Sequence, residues 1–142
     1  MKHLLFSALM AFVSSTIHAQ ENDNAFRAYL YNNEYNVFLN INFYEQNITV
    51  PGQELYGQLP GYLGKQNNTF CWVITSAKLK DDNTAEIMLI NDYGSEDLTA
   101  RLTRQNDSIY TFRQLDGSAL KVPKNGRWQK LPKTFELKRS KK

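Results

Sequence analysis

Apolar and polar residues alternate with a period of two along most of this chain. Val37, Leu39 and Ile41 fall on one face of an extended segment, and Asn40 and Asn42 fall on the other. This alternation is typical of a half-buried β-strand. The same rhythm recurs in eight later segments, which are Glu54–Gly64, Phe70–Lys80, Thr84–Ile90, Asp97–Arg104, Ser108–Leu115, Ser118–Val122, Arg127–Leu131 and Thr134–Arg139.

Turn-forming residues separate these segments. Pro51-Gly52, Asp81-Asp82-Asn83, Asp116-Gly117 and Asn125-Gly126 each lie between two apolar runs. Short strands at regular spacing, with such turns between them, indicate an antiparallel meander. We therefore predict an all-β fold of about eight or nine short strands, arranged as a small barrel or a sandwich.

The segment Ala25–Tyr35 leaves two structures open. Phe26, Tyr29 and Leu30 have helical spacing, which favours a short helix of two or three turns at the start of the domain. The polar run that begins at Asn32 interrupts this pattern. An extended lead-in to the first strand is an equal alternative.

The first nineteen residues have the pattern of a secretory signal peptide. Lys2 is followed by an apolar run from Leu4 to Val13, and a small residue, Ala19, precedes the expected cleavage point. The apolar run is about half the ~20 residues that a membrane span requires. We expect export to the periplasm or the exterior, and a single domain over residues 20–142 without a membrane or lipid anchor.

Loss of that segment would remove both histidines, His3 and His18. The remaining chain would have no imidazole base, no Ser-His-Asp or Cys-His nucleophile and no histidine-containing zinc site. The lone cysteine, Cys71, cannot form an intramolecular disulfide and is expected to be a buried apolar residue. We expect no cofactor and no metal, and a protein that binds rather than catalyses.

Charged residues are segregated along the chain, although the net charge is only +3. Six acids and no base lie between Asp81 and Asp97, while nine bases against one acid lie from Lys121 onward. Solvated strand faces explain this asymmetry, and so does a basic patch for an anionic partner. An exported protein rarely meets nucleic acid, so nucleic acid is not an expected partner.

Two groups of residues are candidate binding sites. The loop from Asn91 to Asp97 concentrates polar side chains around Gly94, in a spacing that does not match a calcium-binding loop. A structural turn, in which Asn91 or Asp92 caps the backbone and Gly94 has a positive φ, is the favoured interpretation of this loop. Tyrosine combines a flat apolar face with a polar tip, which suits sugars and protein interfaces. The candidate binding residues are Tyr29, Tyr31, Tyr35, Asp92, Tyr93, Glu96 and Asp97.

Several longer runs resemble a group of small exported proteins of Gram-negative gut bacteria. They are Gly57–Leu63, Trp72–Ala77, Ile90–Ala100 and Trp128–Lys133. The resemblance implies export from a bacterium with two membranes, and it implies no activity and no site residues. The general pattern is also similar to lipocalin-like and lysozyme-inhibitor barrels, a likeness of fold that does not transfer function.

Three functions are compatible with these observations. The first is an exported binding module for a protein or glycan. The second is an inhibitor or immunity-type protein that places the acidic loop Asp92–Asp97 in the basic cleft of an enzyme. The third, and least favoured, is a hydrolase that uses two carboxylates about 5 to 10 Å apart. Its carboxylates would come from Glu45, Glu54, Asp92, Glu96 and Asp97.

Overall fold

Strands account for most of the chain in the computed structural model, which describes residues 24–141. The predicted signal peptide lies outside the described residues. One short 3-10 turn, Glu54–Tyr56, interrupts the strands. The strands are β1 (Arg27–Asn32), β2 (Val37–Asn42), β3 (Ile48–Thr49), β4 (Gln58–Leu59), β5 (Gly61–Lys65), β6 (Cys71–Asp81), β7 (Thr84–Asn91), β8 (Asp97–Arg104), β9 (Ile109–Gly117), β10 (Lys121–Lys124), β11 (Arg127–Lys130) and β12 (Thr134–Arg139).

Eight of these strands close into an antiparallel barrel in the order β1-β2-β5-β6-β7-β8-β9-β12. Neighbours around the barrel are also neighbours along the chain, apart from two inserted hairpins, β3–β4 and β10–β11. The predicted all-β meander is therefore confirmed, and its barrel form is the one adopted. Closure removes the open edges that a long meander would otherwise expose.

The barrel closes between its first and last strands, which share the fewest paired residues of any neighbouring strands in the barrel. Only two residue pairs, Leu30 with Arg139 and Tyr31 with Lys138, lie in register between β1 and β12. The Asn32 amide adds a hydrogen bond of 2.8 Å to the carbonyl of Glu136. By contrast, β1 pairs with β2 at six consecutive positions.

The helix that we considered for Ala25–Tyr35 is wrong, because residues 27–32 form strand β1. Pairing with β2 on one side and β12 on the other satisfies backbone groups that a short isolated helix would leave open. Leu30 points into the barrel, whereas Tyr29 stacks on Phe38 of β2 at a centroid distance of 5.2 Å. The helical spacing of the apolar residues was thus coincidental.

Large side chains fill the barrel interior. Trp72, Tyr110, Phe112 and Phe26 are all buried to 1% exposure or less, together with leucines and isoleucines from every part of the barrel. Phe112 stacks on Phe135 of the neighbouring strand at 4.8 Å. The interior is therefore a packed core, as expected for a barrel of about eight strands.

A β-bulge in β6 changes which residues point inward. We expected strict alternation from Cys71 to Lys80, but the register with β7 shifts between Ile74 and Ser76. Trp72 and Ile74 point inward before the bulge, and Ala77 packs against the same core after it. The extra residue lets one long strand follow the curvature of the barrel.

The inserted hairpin β3–β4 covers the outside of the barrel instead of extending it. Val50, which follows β3, is fully buried against Cys71 and Val73 on the outer face of β6. Leu59 and Tyr62 pack against the same group. The burial of Cys71 that the sequence predicted is confirmed, and the thiol is free.

The buried thiol makes a pH dependence of stability expected. Burial, with a smaller effect from the Asp92 charge, raises the pKa of Cys71 from 9.0 to about 11. The folded state therefore holds the thiol proton more tightly than the unfolded state, and this stabilisation is complete below pH 9 and lost as the pH rises toward 11. Urea unfolding at about pH 8 and about pH 10.5 should show a smaller loss for Cys71→Ala than for the wild type. Equal losses in both proteins would contradict this assignment.

The antiparallel connections define two ends of the barrel. The residues 33–36, 66–70, 92–96 and 118–133 lie together at one end, which we name the cleft end. The turns 82–83 and 105–108 lie at the other. Among residues 24–141 there is no helix long and apolar enough to cross a membrane.

Candidate functional site

The loop between β7 and β8 is a rigid turn that projects one tyrosine outward. The buried side chain of Asn91 accepts hydrogen bonds from the backbone N–H of Ser95, at 2.9 Å, and of Glu96, at 3.2 Å. Gly94 has a φ of 68°. The predicted structural turn is therefore confirmed, with Asn91 as the capping residue. Tyr93 lies at its tip and is 73% exposed.

The acids of this loop have different partners. Asp92 accepts a hydrogen bond from the side chain of Gln53, which reaches it from the segment that covers the outer face. The Glu96 carboxylate lies 3.4 Å from the ammonium group of Lys121 on β10. Asp97 is exposed at the start of β8. Of the four predicted binding residues in this loop, Tyr93 and Glu96 line the cleft described below, whereas Asp92 and Asp97 do not.

The hairpin β10–β11 forms one wall of the cleft end. Its two-residue turn, Asn125-Gly126, has φ values of 51° and 75°, which matches the tight turn that favours a twisted hairpin. The register sets Pro123 opposite Trp128 and Val122 opposite Gln129. Because side chains alternate along a strand, Val122 and Trp128 lie on opposite faces of the hairpin.

The two faces of the hairpin differ in solvent exposure. Val122 is fully buried in the barrel core, whereas Trp128 is 54% exposed. The indole N–H of Trp72, inside the barrel, donates a hydrogen bond of 2.8 Å to the carbonyl of Lys121. The hairpin is therefore held firmly over the barrel end, and its outer face presents Trp128 at a defined position.

Three aromatic side chains meet at this end and form what we name the aromatic trio: Phe70, Tyr93 and Trp128. Phe70 lies beneath the other two, and it is buried to 6% exposure. Its ring centroid is 5.1 Å from that of Trp128 and 6.4 Å from that of Tyr93. Each of the three comes from a different loop or hairpin, so the barrel is what assembles them.

An open cleft of about 230 Å³ lies against the trio, and we name it the aromatic cleft. Its remaining wall consists mostly of polar side chains. The lining residues besides the trio are Trp72, Asn91, Ser95, Glu96 and Lys121. A second hollow of about 320 Å³ borders the same three rings and has Asp92 and Arg127 on its rim. Apolar faces with a few polar groups around them are typical of small-ligand sites.

The tyrosines of the first strand do not join this site. Tyr29 is half-buried against Phe38 on the outer face of the barrel. Tyr35 packs edge-on against Phe135, at 6.2 Å, and supports the core. Tyr31 and Tyr35 line one hollow of about 400 Å³ together with Glu136. The structure therefore brings Tyr31 and Tyr35 together, away from the aromatic cleft, and places Tyr29 apart from them.

Sequence reasoning did not single out Trp128, Phe70 or Lys121 as site residues. One signal for Trp128 was present. In the run from Lys121 to Lys130 the only large apolar residues are Val122 and Trp128, and symmetric pairing about Asn125-Gly126 places them on opposite faces. Only one of them can face the core, so the other is exposed.

No candidate metal site is found in the described part of the chain, because no group of three or more His, Cys, Asp or Glu side chains converges there.

Comparison of the chain with protein-family models, with curated proteins and with solved structures found no match. The aromatic cleft is therefore interpreted from its own geometry.

Proposed function

We propose that this protein is a non-enzymatic, exported binding module that holds a saccharide in the aromatic cleft. The observation that carries the proposal is the aromatic trio, with two exposed rings mounted on a rigid turn and a tethered hairpin beside the Glu96–Lys121 pair. Export rests on the signal-peptide pattern of the first nineteen residues.

The chemistry of the cleft fits a sugar ring. A pyranose has a face of C–H groups that packs on an aromatic ring, and a rim of hydroxyls that donate and accept hydrogen bonds. Trp128 and Tyr93 offer exposed rings. Glu96 offers an acceptor and Lys121 a donor, and both side chains are more than a third exposed, at 34% and 39%. The cleft therefore has groups for both parts of a sugar.

A protein partner fits this end less well. Stable protein interfaces bury roughly 800 Å² on each partner, with a central apolar patch. Among the described loops of the cleft end, Tyr93 and Trp128 are the only large apolar side chains that are exposed. Inhibition of an enzyme by insertion of the acidic loop into its cleft is also disfavoured, because Asp92 and Glu96 already have partners within the protein.

Hydrolysis by a pair of carboxylates is disfavoured, because only one carboxylate residue lines the aromatic cleft. Hydrolysis of a glycosidic bond normally requires two carboxylates on opposite sides of the substrate. The aromatic cleft is lined by one, Glu96, and the neighbouring hollow by one, Asp92. The arrangement supports holding a sugar rather than cleaving it.

Replacement of Trp128 tests the proposal. We expect the wild type to be retarded in native gels that contain laminarin, xylan or polygalacturonate, for at least one of the three polymers. Trp128→Ala should weaken that binding at least about tenfold, which corresponds to about 1.4 kcal/mol, because it removes the larger exposed ring.

The matched control is Met88→Ala, which shortens an apolar side chain that is 41% exposed on β7, outside the cleft. It should bind as the wild type does. The proposal fails when neither these three polymers nor the sulfated polymer heparin retards the wild type, or when Trp128→Ala and Met88→Ala bind equally well.

A further inference from the structure

The hairpin that carries Trp128 has an unusual charge pattern. The segment from residue 118 to residue 133 contains five basic residues and no acid. In the β10–β11 register, Lys121 lies directly opposite Lys130, and Lys124 lies directly opposite Arg127. Like charges at directly opposed positions destabilise a strand pair. The hairpin thus carries a charge pattern that lowers its own stability.

Most of this charge has no counter-charge within the described chain. Lys121 alone is paired, with Glu96. For the other four bases of the segment, no carboxylate of residues 24–141 lies within 4.0 Å. Those four are Lys124, Arg127, Lys130 and Lys133.

Several bases on the side walls of the barrel do have counter-charges. Glu86 lies 3.1 Å from Arg101 and 3.6 Å from Lys80. Near the start of β1, Arg27 pairs with Glu45 at 2.9 Å. The four unpaired bases of the segment 118–133 instead lie close together on the one segment that also carries Trp128.

Two of the unpaired bases lie near the aromatic trio. Arg127 directly precedes Trp128 and lines the hollow that borders the same three rings. Lys124, opposite Arg127, lines a further hollow together with Lys65, whose ammonium group donates a hydrogen bond of 2.6 Å to the carbonyl of Tyr35. Burial and the charge of Lys124 lower the pKa of Lys65, which is consistent with a region of positive potential.

We infer that the saccharide bound in the aromatic cleft is anionic, and that its acidic groups are held by Arg127 and Lys124 at the tip of the β10–β11 hairpin. This inference rests on the proposed function. The hollow lined by Arg127 adjoins the aromatic cleft at Trp128. A saccharide that extends from the cleft into this hollow brings its substituents to Arg127, where a guanidinium binds a carboxylate, sulfate or phosphate through two parallel hydrogen bonds. The bound anion also relieves the repulsion between opposed bases.

Binding of charged and uncharged polymers tests the inference. The probes are polygalacturonate for carboxylates, heparin for sulfates, and laminarin as a neutral glucan, each measured by native-gel retardation at low and at physiological salt. We expect at least one acidic polymer to bind about tenfold or more tightly than laminarin, with a preference that shrinks as salt rises. The acidic polymer that binds more tightly identifies the acidic group.

A charge-matched pair of variants separates a specific contact from general attraction. Lys124→Ala/Arg127→Ala should lose the preference for the acidic polymer, while its affinity for laminarin, where measurable, stays within about twofold. Lys78→Ala/Lys138→Ala has the same net charge and changes exposed bases on β6 and β12. It should retain the preference.

Three results would overturn the inference. Equal binding of laminarin and the acidic polymers, with Trp128→Ala defective for all, leaves the proposed function standing and removes the anionic ligand. Equal losses in the two double variants show unspecific attraction. Binding of the wild type to phosphatidylglycerol vesicles, without binding to either acidic polymer, assigns the basic hairpin to a lipid surface.

Discussion

Gly61→Ala is expected to lose roughly 3 to 5 kcal/mol of unfolding free energy, a large share of the roughly 5 to 15 kcal/mol by which a domain is typically stable. Gly61 begins β5 with a φ of 153°, and a Cβ added there would lie 2.2 Å from the carbonyl oxygen of Asn40. The obstacle is the backbone of β2, directly across the strand pair, so no rotamer change relieves it. Urea unfolding followed by tryptophan fluorescence measures the loss.

Gly52→Ala is the matched control for this substitution. Gly52 also has a positive φ, of 78°, but an added Cβ would meet no atom within 4 Å. It should therefore lose only the conformational cost of an alanine in the left-handed region, about 1 to 2 kcal/mol. Similar losses at the two positions would mean that the contact with β2 yields easily, contrary to our expectation.

Trp72→Ala is expected to lose roughly 3 to 5 kcal/mol, because Trp72 is among the largest buried side chains and is only 1% exposed. The substitution has a second effect, since the Trp72 indole is the donor that ties the backbone of Lys121 to the barrel. The hairpin with Trp128 should therefore become mobile even where the barrel persists, and saccharide binding should fall together with stability.

Trp72→Phe separates these two effects. Phenylalanine keeps most of the buried apolar surface but removes the hydrogen bond to the Lys121 carbonyl, so the loss should be about 1 to 3 kcal/mol. Hydrogen exchange should then rise in residues 118–133 more than in β7 or β8. A Trp72→Ala protein as stable as the wild type would contradict the assignment of Trp72 to the core.

Much of the fold was predictable because the chain encodes it locally. Alternation in segments such as residues 37–42, and turn residues such as Asn125-Gly126, act over a few positions, so they predict strands and hairpins without knowledge of the rest. The strand at Arg27–Asn32 was harder to predict. Its apolar residues have helical spacing, and that local pattern does not report the pairing with β2 and with the distant β12 that makes the segment a strand.

The site was only partly predictable for a related reason. The tip of the loop 92–96 is set by Asn91 and Gly94, so the exposure of Tyr93 follows from local turn chemistry. The aromatic trio instead requires Phe70 and Trp128 to approach the same point from separate connections. Which loops share a barrel end is decided by topology, and composition alone does not distinguish Trp128 in the cleft from Trp72 in the core.

The narrow junction between β1 and β12 has a consequence for how the chain folds. Pairing of Leu30 with Arg139 requires nearly the whole chain to be present, whereas the β1–β2 and β6–β7 hairpins join residues only a few positions apart. Long loops are the most costly to close in entropy, so this junction should form last and limit the folding rate. Until β12 is in place, the chain is an open sheet with free edges at β1 and β9, which are the positions where pairing with another chain would compete with closure.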